Sequence, residues 1–96
     1  MPRRTEDLPE EYAAYRQALA RAIGDRMRQR RRQLGLSQVH VRSQMELESV
    51  HISRTQFSRI EAGESLPDAA EIIALAKVLR VSYHWLLGTH EEEEGR

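Results

Sequence analysis

The segment from Leu36 to Gly63 constrains the fold of this chain more than any other. Its first three residues, together with the two that precede them, read LGLSQ, and it closes with ISRTQFSRIEAG. Ser37 and Ser53 stand where helix N-caps are expected, and Gly63 stands where a helix ends. Apolar residues recur between these signals at helical spacing, which predicts two short amphipathic helices joined by a turn over residues 49–52.

A longer helix is predicted before this pair. Asp7 with Glu10 matches a capping box, Pro9 suits the first helical turn, and Gly35 suits a C-terminal cap. Between these ends, apolar residues follow one another at spacings of three and four. Gly24 interrupts the pattern, so the sequence allows either one long helix or two.

Further capping signals divide the remainder of the chain. Ser53 and Gln56 match a capping box for a third helix that runs to about Ala62. Asp68 and Glu71 match another for a fourth helix, and a short fifth helix is predicted over residues 82–88. No strand pattern is present, so the predicted fold class is all-α, a compact domain of five helices.

The predicted core collects the apolar residues that share the inward faces of these helices. Each large apolar side chain contributes roughly 1.5–3 kcal/mol when fully buried, which suffices for a single small domain. The predicted members are Ile23, Met27, Leu34, Leu36, Val41, Met45, Phe57, Ile60, Leu66, Ile72, Leu75, Ala76, Leu79, Val81, Trp85 and Leu86.

Charge is segregated along the chain although the formal net charge is zero. Residues 21–60 carry nine arginines and three acidic residues, a balance of +6, whereas acidic residues cluster before residue 12 and at Glu91–Glu94. A local excess of arginine attracts phosphate, because the guanidinium donates hydrogen bonds in a planar fork. For the run RMRQRRRQ, a solvated helix face is the alternative interpretation.

Composition excludes several classes of function. The chain has no cysteine, and therefore no disulfide framework or thiolate metal site. Its apolar runs are too short for a membrane span, and its charged N-terminus lacks an apolar signal core. The four histidines show no metal-ligand spacing, and no grouping of Ser, His and acid stands out. We therefore expect a cytoplasmic protein that is not an enzyme and holds no metal or cofactor.

The third helix has the composition of a DNA-reading element. With Phe57 placed inward, Ile60 falls on the same side, and a set of small polar and arginine side chains points away. Arginine can bond guanine O6 and N7, while Ser and Thr can reach bases or phosphates. The residues that point away are Thr55, Ser58, Arg59 and Ala62, and Arg54 lies on the flank at the N-terminal end.

Glu61 falls near the inward edge of the same helix. A carboxylate there requires a cationic partner, because burying an unpaired charge is costly. On geometry alone, Arg30 and Arg31 of the first helix both qualify as that partner.

Three segments together resemble a known family. IGDRMRQRRRQLGLSQ, ISRTQFSRIEAGESLP and EIIALAKVLRVSYHWLLG are similar to the Cro/phage-repressor-type (XRE-like) helix-turn-helix domain over residues 21–88. The resemblance implies a lambda-repressor-like fold of five helices, with the third helix in the major groove. It also implies a homodimer on a palindromic operator in double-stranded DNA.

The resemblance further implies roles for individual residues. Arg31 and Glu61 match the family's buried ion pair. Phosphate contacts are expected from Ser37, Gln38 and Arg42 around the start of the second helix. Base or groove contacts are expected from Ser53, Arg54, Thr55, Ser58 and Arg59.

Two positions depart from the family pattern. Residues 46–51 replace a tight turn that usually contains one glycine, which leaves the angle of the third helix open. Arg80 replaces a residue that is commonly glycine, and we expect a small cost provided that its backbone avoids positive φ.

These observations divide the chain into three parts: a helical extension (1–20), the helix-turn-helix domain (21–88) and an acidic disordered tail (89–96). Tyr12, Tyr15 and Leu19 of the extension are expected to pack on a partner subunit or to fold back over the core. Tyr83, Trp85 and Leu87 form a second candidate dimer surface. We predict a DNA-binding transcriptional regulator; the alternative is an antitoxin-like or adaptor module that binds protein through its arginines.

Overall fold

Five α-helices make up residues 9–89, the part of the chain that the computed structural model describes. They are α1 (Glu10–Gln33), α2 (Gln38–Leu47), α3 (Arg54–Glu61), α4 (Ala69–Leu79) and α5 (Tyr83–Leu87). No strand occurs within these residues. The predicted all-α class is therefore confirmed. Asp7 and the acidic residues 91–94 lie outside the described part.

Four helices begin at the side-chain caps that the sequence predicts. The hydroxyls of Ser37, Ser53 and Ser82 each accept a hydrogen bond of 3.0 Å from the backbone N–H three residues later. Asp68 and Glu71 form a complete capping box, in which each side chain accepts from the other residue's backbone N–H. These caps satisfy N–H groups that have no partner inside the helix.

Two predicted capping boxes are wrong. The amide of Gln56 donates to Ser65 Oγ at 3.3 Å instead of returning to Ser53, so α3 has only half of a box. At the start of α1, Pro9 is the N-cap residue and Glu10 is the first helical residue. Proline has no N–H to donate the reciprocal bond and no side-chain acceptor, so α1 begins without a side-chain cap.

Gly24 marks a close contact between helices and not a helix break. α1 is one continuous helix of 24 residues. A Cβ atom on Gly24 would lie 2.5 Å from the carbonyl oxygen of Ile60 and 2.7 Å from that of Glu61. The backbones of α1 and α3 therefore meet here at a distance that only glycine permits.

The core lies where all five helices converge. Of the predicted members, ten are buried: Ile23, Met27, Val41, Met45, Phe57, Ile60, Leu75, Ala76, Leu79 and Leu86. The other six are partly buried and pack against this core: Leu34, Leu36, Leu66, Ile72, Val81 and Trp85. The prediction missed Ala20, Ile52 and Ala74, which are also buried.

Two helices end at non-glycine residues in the left-handed backbone region. Ser49, after α2, has φ +67°, and Arg80, after α4, has φ +60°. The N–H groups of Ser49 and Val50 bond the carbonyls of Glu46 and Met45, each at 3.0 Å, which closes α2 as a glycine usually does. The expectation of a small cost at Arg80 is wrong, because positive φ costs an L-residue roughly 1–2 kcal/mol.

The first part of α1 extends away from the core. Residues 10–18 are exposed, and Leu19 is the first residue that packs against the core. These residues do not fold back over their own domain, so that alternative is wrong, and packing on a partner subunit stays a prediction. At the other end, Trp85 and Leu87 pack against the core and only Tyr83 of the second candidate dimer surface is exposed.

Candidate nucleic-acid interface

The helix α3 is anchored along one side and exposed along the other. Phe57 and Ile60 are 1% and 0% exposed and belong to the core. The four predicted base-reading residues within the helix are all exposed, namely Arg54, Thr55, Ser58 and Arg59. Small side chains between two arginines let a helix approach base edges closely, since only the arginines project far.

The two arginines of this face are free to bind an outside partner. Among residues 9–89, no ion pair involves Arg54 or Arg59. Both guanidinium groups therefore keep their donors for an acceptor outside the domain. Together they give the exposed side of α3 a positive charge.

The buried end of α3 is held by an ion pair with α1. Arg31 Nε donates to Glu61 Oε2 at 2.6 Å and Nη2 donates to Oε1 at 3.0 Å. Glu61 is 4% exposed. The hydrogen bond to Glu61 raises the pKa of Arg31 despite the opposing effect of burial. Arg30, the competing candidate, donates instead to the carbonyl of Leu79 at 2.8 Å.

Gln38 connects this ion pair to the exposed face. Its amide donates to Glu61 Oε1 at 2.9 Å, and its oxygen accepts from Ser58 Oγ at 3.3 Å. The start of α2 is thereby fixed to the middle of α3. One amide N–H of Gln38 is not used by Glu61 and can still donate to a phosphate.

The start of each helix in this pair carries a serine cap. Ser37 and Ser53 are exposed, and each hydroxyl oxygen accepts a backbone N–H of its helix. The hydroxyl protons remain available, and the positive end of the helix dipole lies beside them. Both positions therefore suit contacts to an anion.

A family model described as the helix-turn-helix domain matches residues 22–84, more than half of the chain. The chain belongs to the helix-turn-helix domain family. No curated protein and no solved structure gives a significant match. The family match indicates a DNA-binding domain, and proteins of this family are typically not enzymes.

The connector of this helix-turn-helix is held in place at its α3 end. Arg42 Nε, on α2, donates to the carbonyl of Ile52 at 3.3 Å. Ile52 is buried, and it stands immediately before the cap of α3 while Phe57 stands in the next turn. This spacing is a hydrophobic staple, and it is the sequence signal that would have found Ile52 as a core residue.

Arginines of α1 support the helix-turn-helix in a way that the sequence prediction missed. Arg28 Nη1 donates to the Glu61 carbonyl at the end of α3 at 3.1 Å, and Arg30 donates likewise at the end of α4. The last carbonyls of a helix lack internal partners and attract cations. Arg28 and Arg30 therefore stabilise the ends of other helices. The two interpretations of the arginine-rich run in α1, phosphate binding and a solvated helix face, do not account for these two residues.

Two further findings concern metal binding and membrane insertion. Within residues 9–89, no group of three or more His, Cys, Asp or Glu side chains is placed to hold a metal ion. None of the described helices is sufficiently long and apolar to cross a membrane.

Proposed function

We propose that this chain is a sequence-specific transcriptional repressor that places α3 in the DNA major groove. In this proposal, two copies bind one palindromic operator. The observation that carries it is the exposed face of α3, where Arg54 and Arg59 form no ion pair within residues 9–89, on a helix fixed by its core residues and by Arg31. A rigid helix with free donors on one side is the element that this family uses to read base edges.

In this proposal, one group of residues contacts the bases and a second group contacts the phosphates. Base or groove contacts come from Ser53, Arg54, Thr55, Ser58 and Arg59. Ser37, Gln38 and Arg42 contact phosphates and fix the register of α3, which contributes affinity without reading sequence.

The decisive experiment measures discrimination and not affinity alone. An operator selected from random duplexes is compared with a scrambled duplex at several salt concentrations. We expect Arg59→Ala to lose roughly 1–3 kcal/mol on the operator and to relax preference at one base position. Arg32→Ala, which removes the same charge from an exposed site on α1, is the matched control and should weaken both duplexes alike.

One result of this experiment would refute the proposed role of α3. If Arg54→Ala and Arg59→Ala both keep full operator discrimination, α3 is not the reading element. Gln38→Ala provides an internal comparison, since loss of its phosphate contact should weaken operator and scrambled DNA alike. Any further loss on the operator alone measures how far the bonds of Gln38 to Glu61 and Ser58 orient α3.

A protein-binding module is the second candidate, because the exposed guanidinium groups of Arg54 and Arg59 could equally bind the carboxylates of an acidic partner. The charge of residues 21–60 does not decide against it, since Arg28, Arg30, Arg31 and Arg42 donate to acceptors within the domain and are only partly available to phosphate. Salt dependence separates the two candidates. A DNA-binding regulator loses affinity steeply between low and moderate salt because phosphate contacts release counterions, whereas a module that does not bind DNA shows no such titration.

A further inference from the structure

The first nine residues of α1 form a helix with no cover inside the described chain. Residues 10–18 are all exposed, and Tyr12 and Tyr15 are 46% and 63% exposed. Short helices in water depend on packing of an apolar face for their stability. Large exposed aromatic side chains on such a helix are typical of the centre of a protein interface.

The apolar residues of this segment follow the spacing of a coiled coil. Tyr12, Tyr15, Leu19 and Ala22 are separated by three, four and three residues, which places them alternately at the a and d positions of a heptad. The stripe begins beyond the domain and reaches the core at Leu19. The apolar face of α1 therefore continues outward past the last element of its own domain.

The charges beside this stripe suit one particular arrangement. Glu11 precedes Tyr12 and occupies a g position, and Arg16 follows Tyr15 and occupies an e position. In a parallel pair of helices, a g residue meets the e residue five positions later on the partner. Within one helix, residues five apart do not face each other, so Glu11 and Arg16 are complementary only between chains.

We infer that two copies of this chain pair in parallel through residues 11–22 of α1. Tyr12 and Tyr15 of each copy form the seam, which closes at Leu19 where α1 meets its own core, and Glu11 of one copy bonds Arg16 of the other on both sides. This inference rests on the proposed function, because binding to one operator brings two copies together. What is new is the surface through which the two copies associate.

The expected strength follows from the size of the seam. Fewer than two heptads cannot bury the roughly 1,200 Å² of total surface that a stable interface requires. We therefore expect a dimer that forms weakly in free solution and strongly on an operator, where two adjacent half-sites raise the effective concentration of one copy near the other.

Charge reversal on the full chain tests this arrangement. Sedimentation equilibrium at high protein concentration should show Glu11→Arg and Arg16→Glu each weakening association about tenfold, and the double variant recovering most of it. Glu10→Arg is the matched control, because it makes the same charge change one residue away on the outer face and should leave association unchanged. If the double variant remains as weak as the single variants, the parallel pairing is wrong.

Cross-linking provides a second measurement that does not depend on charge. The chain has no cysteine, so Tyr12→Cys introduces a single thiol. A parallel pair places the two copies of residue 12 side by side and gives an oxidised dimer, whereas Ala13→Cys, one position off the seam, gives little. Equal cross-linking of both variants, or none, overturns the inference.

The same variants separate this inference from the proposed function. Glu11→Arg should bind a single half-site with unchanged affinity and lose cooperative binding to the full operator. Arg59→Ala should show the reverse, with intact association and weakened binding to the half-site. Failure of only one of these results identifies which of the two proposals is at fault.

Discussion

Gly24→Ala should destabilise the domain although alanine is the better helix former. Intrinsic propensity favours alanine in a helix by about 1 kcal/mol. The new Cβ, however, would stand 2.5 Å from the Ile60 carbonyl oxygen and 2.7 Å from that of Glu61. Both neighbours are backbone atoms of α3 and cannot rotate away, so the helices must separate by roughly 0.9 Å to restore ordinary van der Waals contact.

The magnitude follows from these two opposing effects. Overpacking of this kind costs about 3 kcal/mol at the upper end of its range, and the propensity gain offsets about 1 kcal/mol. We therefore expect a net loss of about 2 kcal/mol, or roughly 10 °C in Tm for a domain of this size. Separation of the helices would also stretch the 3.1 Å bond from Arg28 to the Glu61 carbonyl and tilt α3.

Urea denaturation followed by the fluorescence of Trp85, the single tryptophan, measures this loss. Gly35→Ala is the matched control: Gly35 has φ +71° and open space around its Cβ position. It should lose stability through backbone strain without moving α3, so that operator discrimination falls only in the Gly24 variant. A Gly24→Ala protein as stable as the parent would refute the reasoning.

Three further substitutions probe other contacts. Glu61→Gln leaves the Arg31 guanidinium without its carboxylate and should cost about 3 kcal/mol by urea denaturation, whereas the double variant Arg31→Met, Glu61→Leu should recover much of this loss. Ser49→Gly relieves the strain of a φ of +67° and should stabilise the domain by about 0.5 kcal/mol, after the added conformational freedom of the unfolded chain is subtracted. Ser49→Ala is the control and should not stabilise the domain. A lower Tm for the glycine variant than for the alanine variant would contradict this prediction. Ile52→Ala removes a buried side chain before the α3 cap and should cost about 3 kcal/mol, with faster amide exchange at the start of α3; unchanged exchange there would show that the staple does not hold the helix.

The roles of Gly24 and Arg28 could not be predicted from the sequence. In the sequence, Gly24 is a weak point in a helical pattern and Arg28 is one of many arginines. Their partners are carbonyl oxygens of α3, more than thirty residues away. A backbone carbonyl carries no side-chain signal, so no pattern of residue types could reveal either contact.

The predicted choice between Arg30 and Arg31 illustrates the same limit. Both lie near the inward face of α1, so helical periodicity left both open as partners of Glu61 and only the family resemblance favoured Arg31. The tertiary arrangement decides, because the end of α3 lies against Arg31 and the end of α4 lies against Arg30.

The amino-acid sequence was sufficient to predict the helices, most of their caps and the residues of the core. These depend on short-range preferences: hydroxyl and carboxylate caps three residues from an N–H, glycine after a helix, and apolar side chains at helical spacing. The same periodicity determined which side of α3 faces outward.

The contacts that hold α3 in place, and the part of α1 that stays exposed, became known only from the tertiary structure. Gly24, Arg28, Arg31 and Gln38 fix α3 through contacts between distant segments, and residues 10–18 are exposed because no described element extends far enough to cover them. Such contacts depend on helix lengths and crossing positions, which are set by the packing of the whole core and not by any local run of residues.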